Sequence, residues 1–239
     1  MKVLGIIPCR YGSTRFPGKP LIDLKGKSMI QRVYEGALKS DRIEKLIVAT
    51  DDERIFSEVK RFGGEVMMTS SEHENGTQRC AEVLKQFSDY DIVLNIQGDE
   101  PLVNFEQLNQ LIHSFLDDTV EIATLAIHTS DKDEIINPNR IKVVTDAKKD
   151  ALYFSRSTIP FARNEESQFN YQRHIGLYGF RAACLNEIIS YSPCSIEHIE
   201  SLEQLRWIYH GKKIRVVETS IETPNIDTPE DIARVLMYL

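Results

Sequence analysis

The stretch Ile6-Ile7-Pro8-Cys9-Arg10-Tyr11-Gly12-Ser13-Thr14-Arg15-Phe16-Pro17-Gly18-Lys19-Pro20 sets three cations, two hydroxyls and two glycines in one short loop behind an apolar run. Glycine lets backbone approach a ligand closely, and successive N–H groups in such a turn form an anion-binding concavity. Arg10, Ser13, Arg15 and Lys19 around Gly12 therefore read as a polyphosphate cradle. The loop is not a Walker A motif. Gly12 to Gly18 is one residue longer than G-x-x-x-x-G-K-[ST], and Pro20 replaces the hydroxyl that would hold Mg²⁺. G-x-G-x-x-G is also absent, so a Rossmann dinucleotide site has no support. Metal ligands for a bound nucleotide must come from elsewhere in the chain.

Asp99, in Gln97-Gly98-Asp99-Glu100-Pro101, is the first candidate ligand. Mg²⁺ is usually held by one or two carboxylates together with substrate phosphates. Asp227 is the second candidate, although Asp227-Thr228-Pro229-Glu230 also fits an ordinary helix start. The segment His73 to Arg79 offers Arg79 for a phosphate and Asn75 or Thr77 for a base edge, and fits a plain capped helix start as well. His174 fits a sugar or carboxylate contact or a structural role, and Tyr178 shares a strand face with Gly176 and Phe180. Glu200, Glu203 and Gln204 fall at i, i+3 and i+4, which puts three acceptors on one helix face. A polyphosphate loop with a carboxylate-held metal suits in-line attack on a nucleotide phosphate. G-x-S-x-G and H-E-x-x-H are absent, and there is no D-x-D glycosyltransferase signature: the two D-x-D matches, at 89–91 and 131–133, do not follow the apolar strand ends that the candidate ligands follow. Cys80 falls within an apolar helical pattern, which argues against a thiol nucleophile.

Strands are predicted over 2–7, 45–50, 65–68 and 91–96, alternating with helices over 28–38, 52–61 and 77–87. This alternation predicts an α/β fold with a mostly parallel central sheet and helices on both faces. Ligands in such sheets sit beyond the carboxyl ends of the strands, where the 10–19 loop, Asp51 and Gln97 to Pro101 all fall. The second half reads as strands over 121–128, 141–145, 151–154, 175–180 and 214–218, a helix over 196–210 and a last helix from Asp227. The segment 161–172 reads as a polar loop. The expected organisation is one domain over 1–239, with a less regular insertion at about 137–192.

At 239 residues, with 41% hydrophobic and 27% charged residues, the chain is expected to be soluble and globular. A net charge of −7 disfavours nucleic acid as a partner. No apolar run approaches a membrane span, and Arg10 interrupts the first apolar stretch before it could serve as a signal peptide. None of the four cysteines has C-x-x-C spacing, so no zinc site or disulfide framework is indicated and a reduced, cytoplasmic setting is expected.

The loop Ile6 to Leu21 resembles the signature of the sugar-acid cytidylyltransferases. Val48-Ala49-Thr50-Asp51, Gln97 to Pro101, Asn137-Pro138-Asn139, Tyr153-Phe154-Ser155-Arg156, Arg173 to Phe180, Glu197 to Arg206 and Asp227 to Asp231 narrow it. Together they resemble the 3-deoxy-manno-octulosonate (Kdo) cytidylyltransferase family essentially end to end. The resemblance implies a nucleotide-diphospho-sugar transferase-like fold and conversion of CTP and Kdo to CMP-Kdo and diphosphate. It also implies Mg²⁺ as cofactor, a homodimer, and a role in lipopolysaccharide precursor synthesis. Carried over by motif, Arg10, Ser13 and Lys19 hold the phosphates, with Gly12 giving backbone access. His73, Asn75, Arg79 and Gln97 lie by the nucleotide, and Asp99 and Asp227 hold metal. Arg156, His174, Tyr178, Glu200, Glu203 and Gln204 surround the sugar acid. Cys9, Ser28 and Gln78 depart from the residues usual in the family, and none of these removes a proposed ligand. Two alternatives stay open: a related sugar acid such as 8-amino-Kdo, and a non-catalytic nucleotide-binding protein.

Overall fold

The structure, a computed structural model, describes residues 1–12, 16–164, 170–226 and 228–239. In β1 (Val3–Cys9), Val3, Ile7 and Cys9 pack into one apolar cluster, and Leu4 and Ile6 into another. Side chains alternate across a strand, so a strand covered on both faces is apolar throughout. Next come α1 (Met29–Ala37), β2 (Lys45–Thr50), α2 (Glu53–Arg61), β3 (Val66–Met68), α3 (Gly76–Leu84), β4 (Ile92–Asn95) and α4 (Phe105–His113). The second half adds β5 (Ile122–Thr129), α5 (Lys132–Ile136), β6 (Lys142–Thr145), β7 (Ala151–Ser155), β8 (Tyr171–Arg181) and α6 (Ala182–Ile188). It closes with α7 (Ser195–Glu200), α8 (Gln204–Tyr209), β9 (Ile214–Thr219) and α9 (Asp231–Leu236).

The strands form one sheet in the order β3-β2-β1-β4-β8-β5-β9, with β6 pairing β8 and β7. β1 runs parallel to β2 and β4, β2 to β3, and β5 to β9. Along that order β8 alone opposes its neighbours. The expected mostly parallel sheet with helices on both faces is what forms. Helices α1, α2, α4 and α9 bury Val33, Ile55, Leu111 and Val235 against one face. Helices α3, α6 and α8 bury Val83, Leu185 and Trp207 against the other. Because β8 is reversed, its beginning lies at the edge where β1 and β4 end. Residues from the second half are thereby brought to the edge that the sequence marked for ligands.

The structure departs from the sequence reading in several elements. The helix expected over 196–210 is two helices, parted at Ser201, whose φ of 50° is left-handed. Glu200 ends α7, Glu203 precedes α8 and Gln204 begins it, so the three do not share one helical face. The strand expected over 175–180 starts at Tyr171, inside the stretch read as a loop. Within the expected insertion at about 137–192, β6 and β7 form a hairpin whose β6 pairs with β8 in the main sheet. The stretch 101–120, given no element from sequence, contains α4, which Asn104 caps by accepting from the Glu106 N–H.

Candidate active site

Two cavities open at the carboxyl edge of the parallel strands. The first, about 350 Å³, is lined by the end of β1 with Arg10, by Lys19, by the approach to α3 from His73 to Gly76, by Arg79, and by Gln97 to Asp99. The second, about 310 Å³, is lined by Gln97, Asp99 and Glu100, by residues 139–141, by the early part of β8, by Leu202 to Gln204, and by Thr223 and Asn225. Gln97 and Asp99 belong to both walls.

Gly98 sets this junction. A Cβ there would lie 3.0 Å from the Pro8 carbonyl oxygen and 3.2 Å from the Cys9 Sγ. Its lack of a side chain lets the chain leaving β4 cross the end of β1. Lys19 reaches the same point. Its Nζ donates to Asp99 Oδ2 at 2.7 Å and to the Ile226 carbonyl at 2.8 Å. Gly18 makes that approach possible: its φ of 73° turns the chain into the 3₁₀ turn Lys19–Leu21, and its N–H bonds the Tyr11 carbonyl at 3.0 Å. Arg10 is exposed on the first cavity's wall. Gly12 lies outside that wall, in open space. Ser13, Arg15 and Asp227 lie outside the described residues.

At α3 the sequence allowed a ligand role or a capped start, and the structure contains both kinds of contact. Asn75 caps the helix by accepting from the Gln78 N–H at 2.9 Å, while also lining the first cavity. Arg79 is buried, not solvent-facing. Its guanidinium donates to Asp51 at 3.0 Å and to the Thr69 hydroxyl. His73 sits against the Glu82 carboxylate. Cys9 also lines this cavity, and burial pushes its thiol far above the usual range, so it is a wall and not a nucleophile.

In the second cavity His174 is a neutral group. Burial, with the Arg173 charge adding to it, holds its imidazole down to about 3. Its Nε2 pairs with the Thr124 hydroxyl at 2.9 Å, and its ring lies between Phe154 and Tyr178 at 5.0 and 5.4 Å. The Tyr178 hydroxyl is buried beside the Thr124 hydroxyl, which His174 and the carbonyls of Ile175 and Leu177 already engage, and no well-directed hydrogen bond reaches it among the described residues. Burial drives its pKa well up, so it remains a phenol with a proton to donate. An orphaned buried hydroxyl on a cavity wall marks a place for a polar ligand. Glu203 is half-buried, and desolvation pushes its carboxyl up to about 7 despite a 2.9 Å hydrogen bond from Thr77. Gln97 spans the junction, donating to the Gly176 carbonyl at 3.1 Å.

Arg156 and Glu200 line neither cavity. They strap β7 to the end of α7: Glu200 accepts from the Ser155 hydroxyl at 2.6 Å and the Arg156 N–H at 2.9 Å. The Arg156 guanidinium donates to the carbonyls of Glu200 and Pro138. Residue-level reading missed Arg140 and Asn225, joined at 3.0 Å on the second cavity's wall. The signal was their position, next to Asn137-Pro138-Asn139 and to Ile226-Asp227.

Among the described residues no three carboxylate, imidazole or thiol groups converge as a metal cage. Asp99 stands on both cavity walls, and among the described residues no hydrogen bond reaches its Oδ1. That donor set fits Mg²⁺, which needs few protein ligands when phosphates supply the rest.

A cytidylyltransferase family model matches residues 4–214. A 3-deoxy-manno-octulosonate cytidylyltransferase of Fusobacterium nucleatum is 48% identical over 100% of this chain and 97% of its own length. One of the same name from Parabacteroides distasonis is 47% identical over 100% and 98%. Among solved structures, a CMP:2-keto-3-deoxy-manno-octonic acid synthetase complexed with CTP superposes with a TM-score of 0.94. It is 40% identical, and the match covers 100% of this chain and 98% of that one.

Proposed function

The chain belongs to the cytidylyltransferase family, and from that premise we propose that it transfers CMP from CTP to Kdo, releasing diphosphate. It is a nucleotidyltransferase. The observation that carries this reading is the junction of two cavities at Gln97 and Asp99. A nucleotidyl transfer needs two substrates to meet at one phosphorus, and the α-phosphate of a nucleotide in the first cavity would face a sugar acid in the second. The anomeric hydroxyl oxygen of Kdo then bonds to the α-phosphorus, the bond from that phosphorus to the α,β-bridging oxygen breaks so that diphosphate leaves with the electron pair, and the hydroxyl proton passes to solvent water.

Lys19 and Arg10, both on the first cavity's wall, take the charge that builds on the phosphates, and Ser13 would add a hydrogen bond from its hydroxyl. Preorganised cations are worth most where charge develops in the transition state. His73, Asn75, Arg79 and Gln97 line the nucleoside end. Tyr178 donates and Glu203 and Gln204 accept hydrogen bonds from the sugar acid, while neutral His174 shapes the pocket without adding charge. Asp99 and Asp227 would hold Mg²⁺ together with the nucleotide's phosphates, and the ion would supply charge neutralisation on the triphosphate.

The same reading takes the enzyme to be cytoplasmic, to serve lipopolysaccharide precursor synthesis, and to work as a homodimer. The dimer is supported by the large exposed apolar side chains Ile136, Phe161 and Ile199 (69%, 84% and 82%), which line neither cavity. No described helix is long and apolar enough to cross a membrane. A substrate panel of Kdo, 8-amino-Kdo and N-acetylneuraminate, each with CTP and Mg²⁺, tests the reading. Kdo is expected to lead in kcat/KM. A lead by another acid would move the specificity, and CTP binding without turnover on any acid would leave a non-catalytic nucleotide-binding protein.

A further inference from the structure

Thr77 stands at the first turn of α3, directly after Asn75 and Gly76 on the first cavity's wall. Its side chain is 2% exposed and points away from that cavity's residues toward Glu203, 126 positions along the chain. The hydroxyl donates to Glu203 Oε2 at 2.9 Å. Glu203 lies on the second cavity's wall between Leu202 and Gln204. The left-handed turn at Ser201 is what directs this segment back toward α3. One hydrogen bond thus ties a wall of the first cavity to a wall of the second.

We propose that Thr77 is the positioning residue for the sugar-acid pocket, its hydroxyl fixing the Glu203 carboxylate in the orientation that accepts hydrogen bonds from the sugar's hydroxyls. This rests on the reading of the second cavity as the sugar-acid site. A serine or threonine hydroxyl in a helix often bonds the helix's own backbone. Here it bonds a carboxylate across the interior, so its loss leaves that carboxylate free to turn. The other groups facing Glu203 do not hold it: Arg206 is engaged by both oxygens of Glu197 at 2.6 and 2.7 Å, and Tyr178 and Cys80 contribute a buried phenol and a buried thiol. The Thr77 bond also favours the ionised form against a burial cost that otherwise raises the Glu203 pKa.

The test compares Thr77→Val, Thr77→Ala, Thr77→Ser and Glu203→Gln with the wild-type enzyme. Val and Ala variants are expected to raise the KM for Kdo by on the order of tenfold, with the KM for CTP nearly unchanged. They should also move the acid limb of the kcat/KM profile for Kdo to higher pH. Thr77→Ser is expected to restore both values. An unchanged KM and limb in the Val and Ala variants would overturn the proposal, as would an equal rise in both KM values, which would indicate a displaced helix start. Should Glu203→Gln itself leave the KM for Kdo unaltered, the placement of the sugar acid fails, and the role of Thr77 fails with it.

Discussion

The Nζ of Lys19 is held between the Asp99 carboxylate and the Ile226 carbonyl, so each partner orients the other before any substrate arrives. Lys19→Ala is expected to cut kcat by on the order of a hundredfold or more and to raise the KM for CTP, measured by steady-state diphosphate release. Glu203 makes a different prediction, about stability. Its folded pKa of about 7 lies above the ordinary 4.5, so the folded chain holds that proton more tightly than the unfolded chain. The stabilisation is full below about 4.5 and is lost as pH rises through 7. Glu203→Gln should therefore melt at a higher temperature than wild type at pH 8, with the gap closing toward pH 4.5; melts at both pH values check this. At this scale most of the site candidates named from the sequence stand on a cavity wall, because loops with Gly, Pro and clustered charges stand out against apolar runs. It did not separate Glu203 from Glu200, which share helical spacing. What separates them is the Ser201 turn, which sends one to a cavity and the other to the Arg156 strap. Nor did it reveal that Arg79 is buried, since its partners Asp51 and Thr69 come from the ends of two other strands.

Gly98 joins residue to element. A Cβ at this position would lie 3.0 Å from the Pro8 carbonyl oxygen of a central strand, which would have to give by a few tenths of an ångström. Gly98→Ala is expected to cost about 1–3 kcal/mol of stability and to lower kcat more than it changes either KM, because Asp99 shifts with the strained backbone. Chemical denaturation and steady-state kinetics on the same preparation check both. Strand and helix alternation in the first half was legible because each element there carries its own period and its own stop. The second half was less so. β8 is buried on both faces and begins with Tyr171, Gln172 and Arg173, whose burial comes from pairing with β5 and β6 and not from an apolar pattern. The α7–α8 break gave no sign either, because a serine with positive φ carries none of the signal a glycine would.

On the scale of the whole molecule, the reversal of β8 puts residues from both halves of the chain at one edge, and the two cavities meet there. Ile136, Phe161 and Ile199 are exposed and line neither cavity. Sedimentation is expected to show a dimer, about twice the 27.4 kDa chain. Ile199→Glu is expected to shift it toward monomer; an unchanged dimer would place the interface elsewhere. The central claim is that CTP and a sugar acid react across Asp99. The most direct measurement is diphosphate release from CTP, with Mg²⁺ and with and without Kdo, by wild type and by Asp99→Asn. The account predicts Kdo-dependent release by wild type and loss of at least a hundredfold in the variant, with its melting temperature kept. Release at the wild-type rate by Asp99→Asn would contradict it.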